Sequence, residues 1–380
     1  VKVLGNTITL PGAPTGLTAM AGYGMINLNW SAPAGADSYR ILRSTSAGQE
    51  TVITNLTGTT FTDAGLKGGM RYFYQVTAVN LQGAGPVSAE VNAVPLMPAP
   101  GSYPAALLAL KPLAYWLLGE TNGAIAFDSV GGYNGVYLGG ASLGQMGVSG
   151  AGMVPASRAV LFDGASGYVD IPSGPFNLTN ALTVIAWAKV PAISHFSGVV
   201  GRGDSSWRLT INNSGQPGAA NGGSADATSA NGILGSAWHM LAYTCSGLPG
   251  VANNGALYVD GIKQANHTVP ANNGNSADPF IGGVPDYGTG RLLAGTLAQV
   301  AVFTNALAAG QIAALYNAST TAPPATLALA PGGAGSLNVI WWQGQLLSAT
   351  NLIGPWVTNE LASPYTVMPT GGQYFFRTQP

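Results

Sequence analysis

Between residues 13 and 95 apolar and polar positions alternate in short runs. Ile26, Leu28 and Trp30 share one side of MINLNW. In SYRILRS, Tyr39, Ile41 and Arg43 share one face, with Arg40 and Leu42 on the other. Tyr72 and Tyr74 repeat the pattern in YFYQVTAVN. A period of two is the signature of a strand with one buried face. The same period returns at Leu182, Val184, Ala186 and Ala188, and at Leu257 and Val259. Helical spacing is confined to AALLAL, from residue 105, and to Leu307, Ile312, Leu315 and Tyr316, which predict a helix over about 306–316. The runs are broken by 55 Gly and 25 Pro. Many short strands separated by turn residues predict an all-β, multi-domain chain.

Proline-rich stretches divide it. Residues 96–104 and 321–336 read as linkers. They leave an N-terminal segment at 1–12, domains at 13–95 and 105–320, and a small C-terminal β module at 337–380. Val1, Val3, Ile8 and Leu10 anchor a β-prone segment that could pair with the sheet edge of another copy of the chain. Val1 stands where an initiator Met would, so a processed or trimmed N-terminus is expected. The last module carries Trp341, Trp342, Trp356, Tyr365, Tyr374, Phe375 and Phe376. Roughly 60 residues bury little, so this module is expected to pack onto another domain or subunit.

Residues 13–95 resemble a fibronectin type III domain. The resemblance rests on Pro14, Leu17, Trp30 in LNW, Tyr39, Leu66, Tyr72 and Tyr74 in YFYQVTAVN, and the close at Gly83–Ser88. It implies a two-sheet sandwich with a tyrosine corner and a spacer or adhesion role. Residues 105–320 resemble a laminin-G-like domain of the concanavalin-A-like jelly-roll class, as found in bacterial secreted and surface proteins. YWLLGE, FDGASGYVDIP, LTVIAWAK, WHMLAYT with ALYVDG, and GTLAQVAVFTNALAAGQI carry it, in that order.

Charge changes the picture of the surface. Only 7% of residues are charged, against about 25% in an ordinary soluble domain. A net charge of −1 with 13 scattered cations excludes a basic nucleic-acid patch. No apolar run is long enough for a membrane-spanning helix. The lone Cys245 permits no intrachain disulfide and reads as a small core residue.

Candidate chemistry is sparse. The laminin-G resemblance implies a calcium site, which needs several oxygens at one point. Of Glu120, Asp128, Asp163, Asp170, Asp204, Asp226, Asp260, Asp278 and Asp286, Asp128 is the favoured ligand, because DSVGGYNG could add loop carbonyls. Asp163-Gly164 and Asp260-Gly261 read as two-residue hairpin turns. Glu120 reads as a cap on local backbone. A glycosidase of this fold class would take two carboxylates from one E-x-D-x-x-E strand, and no such run exists. His195, His239 and His267 lack a G-x-S-x-G partner and metal-ligand spacing. Arg202-Gly203-Asp204 reads as a turn. The Asn- and Gly-rich loops 211–232 and 269–288 could bind a glycan, with Phe280 and Tyr287 as aromatic platforms.

Two functions are therefore expected, both extracellular or at the cell surface and both without catalysis. One is a structural subunit that self-associates into a filament, sheath or surface layer through Val1, Val3, Ile8 and Leu10. The other is an adhesin-type carbohydrate-binding module, with calcium at Asp128 and glycan contacts at Tyr287 and Phe280.

Overall fold

The computed structural model describes residues 9–380 apart from 154–156, 173, 180, 204–205, 223–224, 248–250, 270–276, 285–289, 332–335, 343, 360–362, 369–373 and 380. Two compact units divide the chain. One joins residues 1–97 to 325–380; the other is 98–324.

In the first unit, strands Thr15–Gly22, Met25–Ser31 and Thr60–Ala64 form one antiparallel sheet. Thr51–Leu56, Ser38–Ser44, Tyr72–Asn80 and Gly83–Val87 form the other, with Val91–Ala93 also paired to Tyr72–Asn80. The alternating residues Ile26, Leu28, Trp30, Tyr39, Ile41 and Tyr74 fill the space between. Trp30 and Tyr39 meet edge to face at 5.4 Å. The Tyr72 hydroxyl accepts the Lys67 amide at 3.2 Å, which is the expected tyrosine corner. Residues 9–12 lie against this same sandwich. Asn80 Nδ2 donates to the Thr9 carbonyl at 2.7 Å, and a Cβ on Gly85 would stand 2.1 Å from the Pro11 carbonyl oxygen. Leu10, one of the expected assembly anchors, is half-exposed on its own domain; Val1, Val3 and Ile8 lie outside the described residues.

The C-terminal module is two three-stranded sheets around Val339, Trp341 and Leu346. Its first strand, Leu327–Pro331, lies inside the stretch read as a linker, because alternating Leu327 and Leu329 pair with Trp341 and Val339. The module packs on the N-terminal sandwich. Asn338 Nδ2 donates to the Gly69 carbonyl at 2.5 Å, and Trp342 Nε1 to that of Met97 at 3.0 Å. A Cβ on Gly69 would stand 2.2 Å from Ile340 Cδ1.

The second unit is a jelly roll. Its front sheet runs, in spatial order, Ile125–Ala126, Gly135–Leu138, Tyr168–Asp170, Phe280–Ile281, Ser197–Gly201, Trp207–Ile211, Pro217–Asn221 and Ala227–Thr228. The back sheet runs Ala141–Met146, Arg158–Asp163, Ala294–Phe303, Leu182–Lys189, His239–Cys245, Gly255–Val259 and Ile262–His267, and Ala114–Trp116 also pairs with Ala294–Phe303. Val169, Val200, Trp207, Leu209 and Ile281 face Val184, Leu241, Tyr243 and Val300 across one core. Cys245 is buried in it, as expected.

Asp260-Gly261 is the expected hairpin turn, with φ of 51° and 77° joining Val259 to its partner Ile262. Asp163-Gly164 is not a hairpin. Arg158–Asp163 and Tyr168–Asp170 belong to different sheets, so the chain crosses between layers there. Asp163 Oδ1 accepts the amides of Ala165, Ser166 and Gly167 at 2.8–2.9 Å, and those bonds hold its carboxyl well below the usual range.

The second helix runs Ala309–Thr320, later than the apolar spacing implies. Thr183 Oγ1 donates to the Asn305 carbonyl and accepts the Leu307 amide, which keeps the chain extended up to that point. The first helix, Tyr103–Ala109, packs beside it. Gly152 links their ends: its carbonyl accepts Tyr103 N at 3.1 Å and its amide donates to the Ser319 carbonyl at 2.9 Å. The entry and exit of this unit lie side by side, since a Cβ on Gly101 would stand 3.3 Å from Pro324 Cδ.

Candidate functional site

Asp128 is a staple for its own loop, not an open ligand. Its Oδ1 accepts the amides of Tyr115 and Val130 at 2.8 and 3.0 Å, and its Oδ2 those of Gly131 and Tyr133 at 2.9 and 3.0 Å. The glycines of DSVGGYNG let the loop turn its amides inward. Four donors fill the lone pairs a cation would need, which corrects the calcium assignment at Asp128. Among the described residues no group of three or more His, Cys, Asp or Glu could hold a metal ion.

Glu120 lies nearby, equally buried, and caps local backbone as expected. Its Oε1 accepts the Phe127 amide at 2.9 Å and its Oε2 the Tyr137 hydroxyl at 2.6 Å. Burial pushes up the pKa of both carboxyls; hydrogen bonds pull only part of the way back. A raised carboxyl takes up its proton in the folded state first. Its destabilising effect is therefore full above the folded pKa. It is relieved as pH falls through the folded pKa toward the unfolded value of about 4.3. Glu120→Gln keeps an acceptor for Phe127 N and removes the charge. Thermal melts should show this variant more stable than the parent at pH 7 and less improved by acidification; parallel pH curves would refute the assignment.

The outer face of the front sheet is where side chains with binding chemistry gather. Val169 and Ile281 pair across neighbouring strands and point into the core. Tyr168, Asp170 and Phe280, one residue out of phase, therefore take the opposite face. Asp170 stands directly across from Phe280, and Phe280 across from Gly201. The Tyr168 and Phe280 rings stack at 4.4 Å, both half-buried. The Ile171 amide donates to the Pro279 carbonyl at 3.0 Å, which extends the pairing one step and sets Asp278 diagonal to Asp170. Asp170 Oδ1 is buried and has no hydrogen-bond partner. Burial, and secondarily the Asp278 charge, raises the Asp170 pKa. Asp278 also acts on Arg202, whose Nη1 donates to Asn177 Oδ1 at 2.7 Å. The result is a stacked aromatic pair with two carboxylates beside it on the same face of the sheet.

Of the expected glycan contacts, Phe280 lies in this cluster and Tyr287 falls outside the described residues. Tyr168, Asp170, Asp278, Arg202 and Asn177 were not singled out for glycan contact by the sequence. The available signal was the phase of YVD and PFI, in which Val169 and Ile281 are the core residues. Arg202 of the Arg-Gly-Asp tripeptide is 8% exposed, so it is not displayed as a recognition loop; Asp204 is outside the described residues. His239 Nδ1 lies 2.7 Å from Asp260 Oδ2, at the turn that this aspartate builds.

Matches to two family models agree with the fold. Residues 12–94 match the fibronectin type III domain, and residues 163–313 the concanavalin A-like lectin/glucanases superfamily. Over 97 residues the chain is 40% identical to an amylopullulanase of Thermoanaerobacter thermohydrosulfuricus and 36% identical to one of Thermoanaerobacterium saccharolyticum. That stretch is 25% of this chain, and only 7% and 8% of those enzymes. A solved Fn3-like protein from Clostridium thermocellum is 39% identical across 22% of this chain and 92% of its own, with a TM-score of 0.21. A mutant Trypanosoma rangeli sialidase covers 81% of this chain and 63% of its own at 12% identity, with a TM-score of 0.44.

Proposed function

Since the chain joins a fibronectin type III domain to a concanavalin A-like jelly roll, we propose that it is an extracellular carbohydrate-binding protein with no catalytic step of its own. The sugar lies on the outer face of the front sheet. Tyr168 and Phe280 give the apolar face of a pyranose ring a surface to rest on, and Asp170 and Asp278 receive its hydroxyls. The observation that carries this reading is the stacked, half-buried pair beside a carboxylate oxygen that lacks a partner. Aromatic rings buried only on one side and polar groups left unsatisfied are the two things a sugar supplies for. The family match to lectins and glucanases and the fibronectin type III spacer support the same reading.

Affinity electrophoresis of the full chain through gels cast with soluble polysaccharides tests it. At least one polysaccharide should retard the parent. Phe280→Ala and Tyr168→Ala should each lose about 2 kcal/mol, some thirty-fold in Kd, with an unchanged near-UV spectrum. Unaltered retardation in both variants, or none in the parent across neutral, acetylated, amino and acidic polysaccharides, would overturn the reading.

A further inference from the structure

The charges around this platform narrow the class of sugar. We propose that the site selects a hexosamine residue bearing a free ammonium group over neutral and N-acetylated residues; this rests on the carbohydrate-binding reading above.

The argument starts from the neighbours of Asp170. On one side the strand Gly135–Leu138 offers Val136 and Leu138, neither of them charged. On the other, Phe280 stands directly opposite, followed by Gly201, which has no side chain. Arg208 comes next in the row and is committed to Asp226, with Nε and Nη2 at 2.9 and 2.6 Å from Oδ1. Among the described residues the charges that act on one another here are Asp170 with Asp278, and Asp278 with Arg202. Among the described residues the carboxylates at the platform therefore outnumber the cations acting on them.

A ligand that completes this site brings a donor for Asp170 Oδ1 and one positive charge. A sugar hydroxyl brings the donor alone. An ammonium group on the ring brings both, and its charge is also attracted to the faces of Tyr168 and Phe280. A divalent cation would bring charge, but it needs six or more oxygens at one point, and the described residues assemble no such set. An N-acetyl group brings an N–H without the charge. An acidic sugar adds to the excess already present.

The test is calorimetric titration of the full chain, at mildly acid pH, with three hexasaccharides: chitosan, its fully N-acetylated counterpart, and cellohexaose. Chitosan hexasaccharide should bind roughly tenfold tighter than the other two, the worth of one charge-assisted hydrogen bond. Rising salt should narrow the gap, since the preference rests on attraction between unlike charges. Asp170→Asn and Asp278→Asn should each bring the three affinities together, and Phe280→Ala should weaken all three. Near-UV spectra confirm that each variant is folded. Equal affinities in the parent, or a preference that survives in both asparagine variants, would overturn the amino-sugar assignment while leaving sugar binding in place. Failure of chitosan to bind, with another polysaccharide still retarding the parent, would do the same. No binding by any sugar would overturn both.

Discussion

Asp128→Asn should destabilise the jelly roll almost as much as Asp128→Ala, by about 3 kcal/mol. The side chain is an acceptor on both oxygens, each serving two backbone amides. Asparagine keeps one oxygen and so can satisfy one pair. Its amide group then faces the other pair donor to donor. Alanine leaves all four amides without their partner. The near-isosteric change thus removes half the bonds and adds a donor–donor repulsion, which outweigh the relief of removing a buried charge. Urea melts followed by tryptophan emission would measure this, because Trp116 is bridged to Asp128. A near-parental midpoint for Asp128→Asn would mean that the oxygens do not organise the loop, and would reopen the question of a cation there.

Gly152→Ala is the second substitution with a large expected cost, also about 3 kcal/mol. A Cβ at this position would stand 1.7 Å from the Ala318 carbonyl oxygen and 2.8 Å from that of Thr321. Both obstacles are backbone at the end of the second helix, so a rotamer change cannot clear them. The helix would have to shift, and Gly152 would lose its bonds to Tyr103 and Ser319. Differential scanning calorimetry should show the loss in the jelly-roll transition. A shift of less than about 1 kcal/mol would show that the helix end yields easily.

Local patterns carried the fold far. Alternation marked the strands around Trp30, Tyr39, Tyr72 and Leu182, and the Asp-Gly pair at 260–261 marked a true hairpin. The same dipeptide at 163–164 misled, because whether a turn folds a sheet on itself or passes to the other layer depends on partners far along the chain. Arg158–Asp163 pairs with Ala294–Phe303, and Tyr168–Asp170 with Phe280–Ile281. The candidate site is hidden for the same reason. Asp170 and Phe280 lie far apart in sequence, and only the strand pairing brings them face to face. Phe280 could be noticed alone as an aromatic in a polar loop; its carboxylate neighbours could not. Asp128 misled in a different way, since a Gly-rich loop that could offer carbonyls to a cation offers its amides to the aspartate instead.

The return of residues 325–380 to the N-terminal sandwich makes the jelly roll a guest carried by a host, entering after Met97 and leaving before Ala325 through neighbouring points. Such an arrangement has a mechanical meaning. Tension applied between the start of the first sandwich and the final strand Phe375–Gln379 is borne first by the clasp of Asn338 on Gly69 and Trp342 on Met97. While that clasp holds, the guest stays outside the load path, and whatever it grips is gripped by an unstrained domain. Once the clasp parts, the whole jelly roll comes into line with the pull.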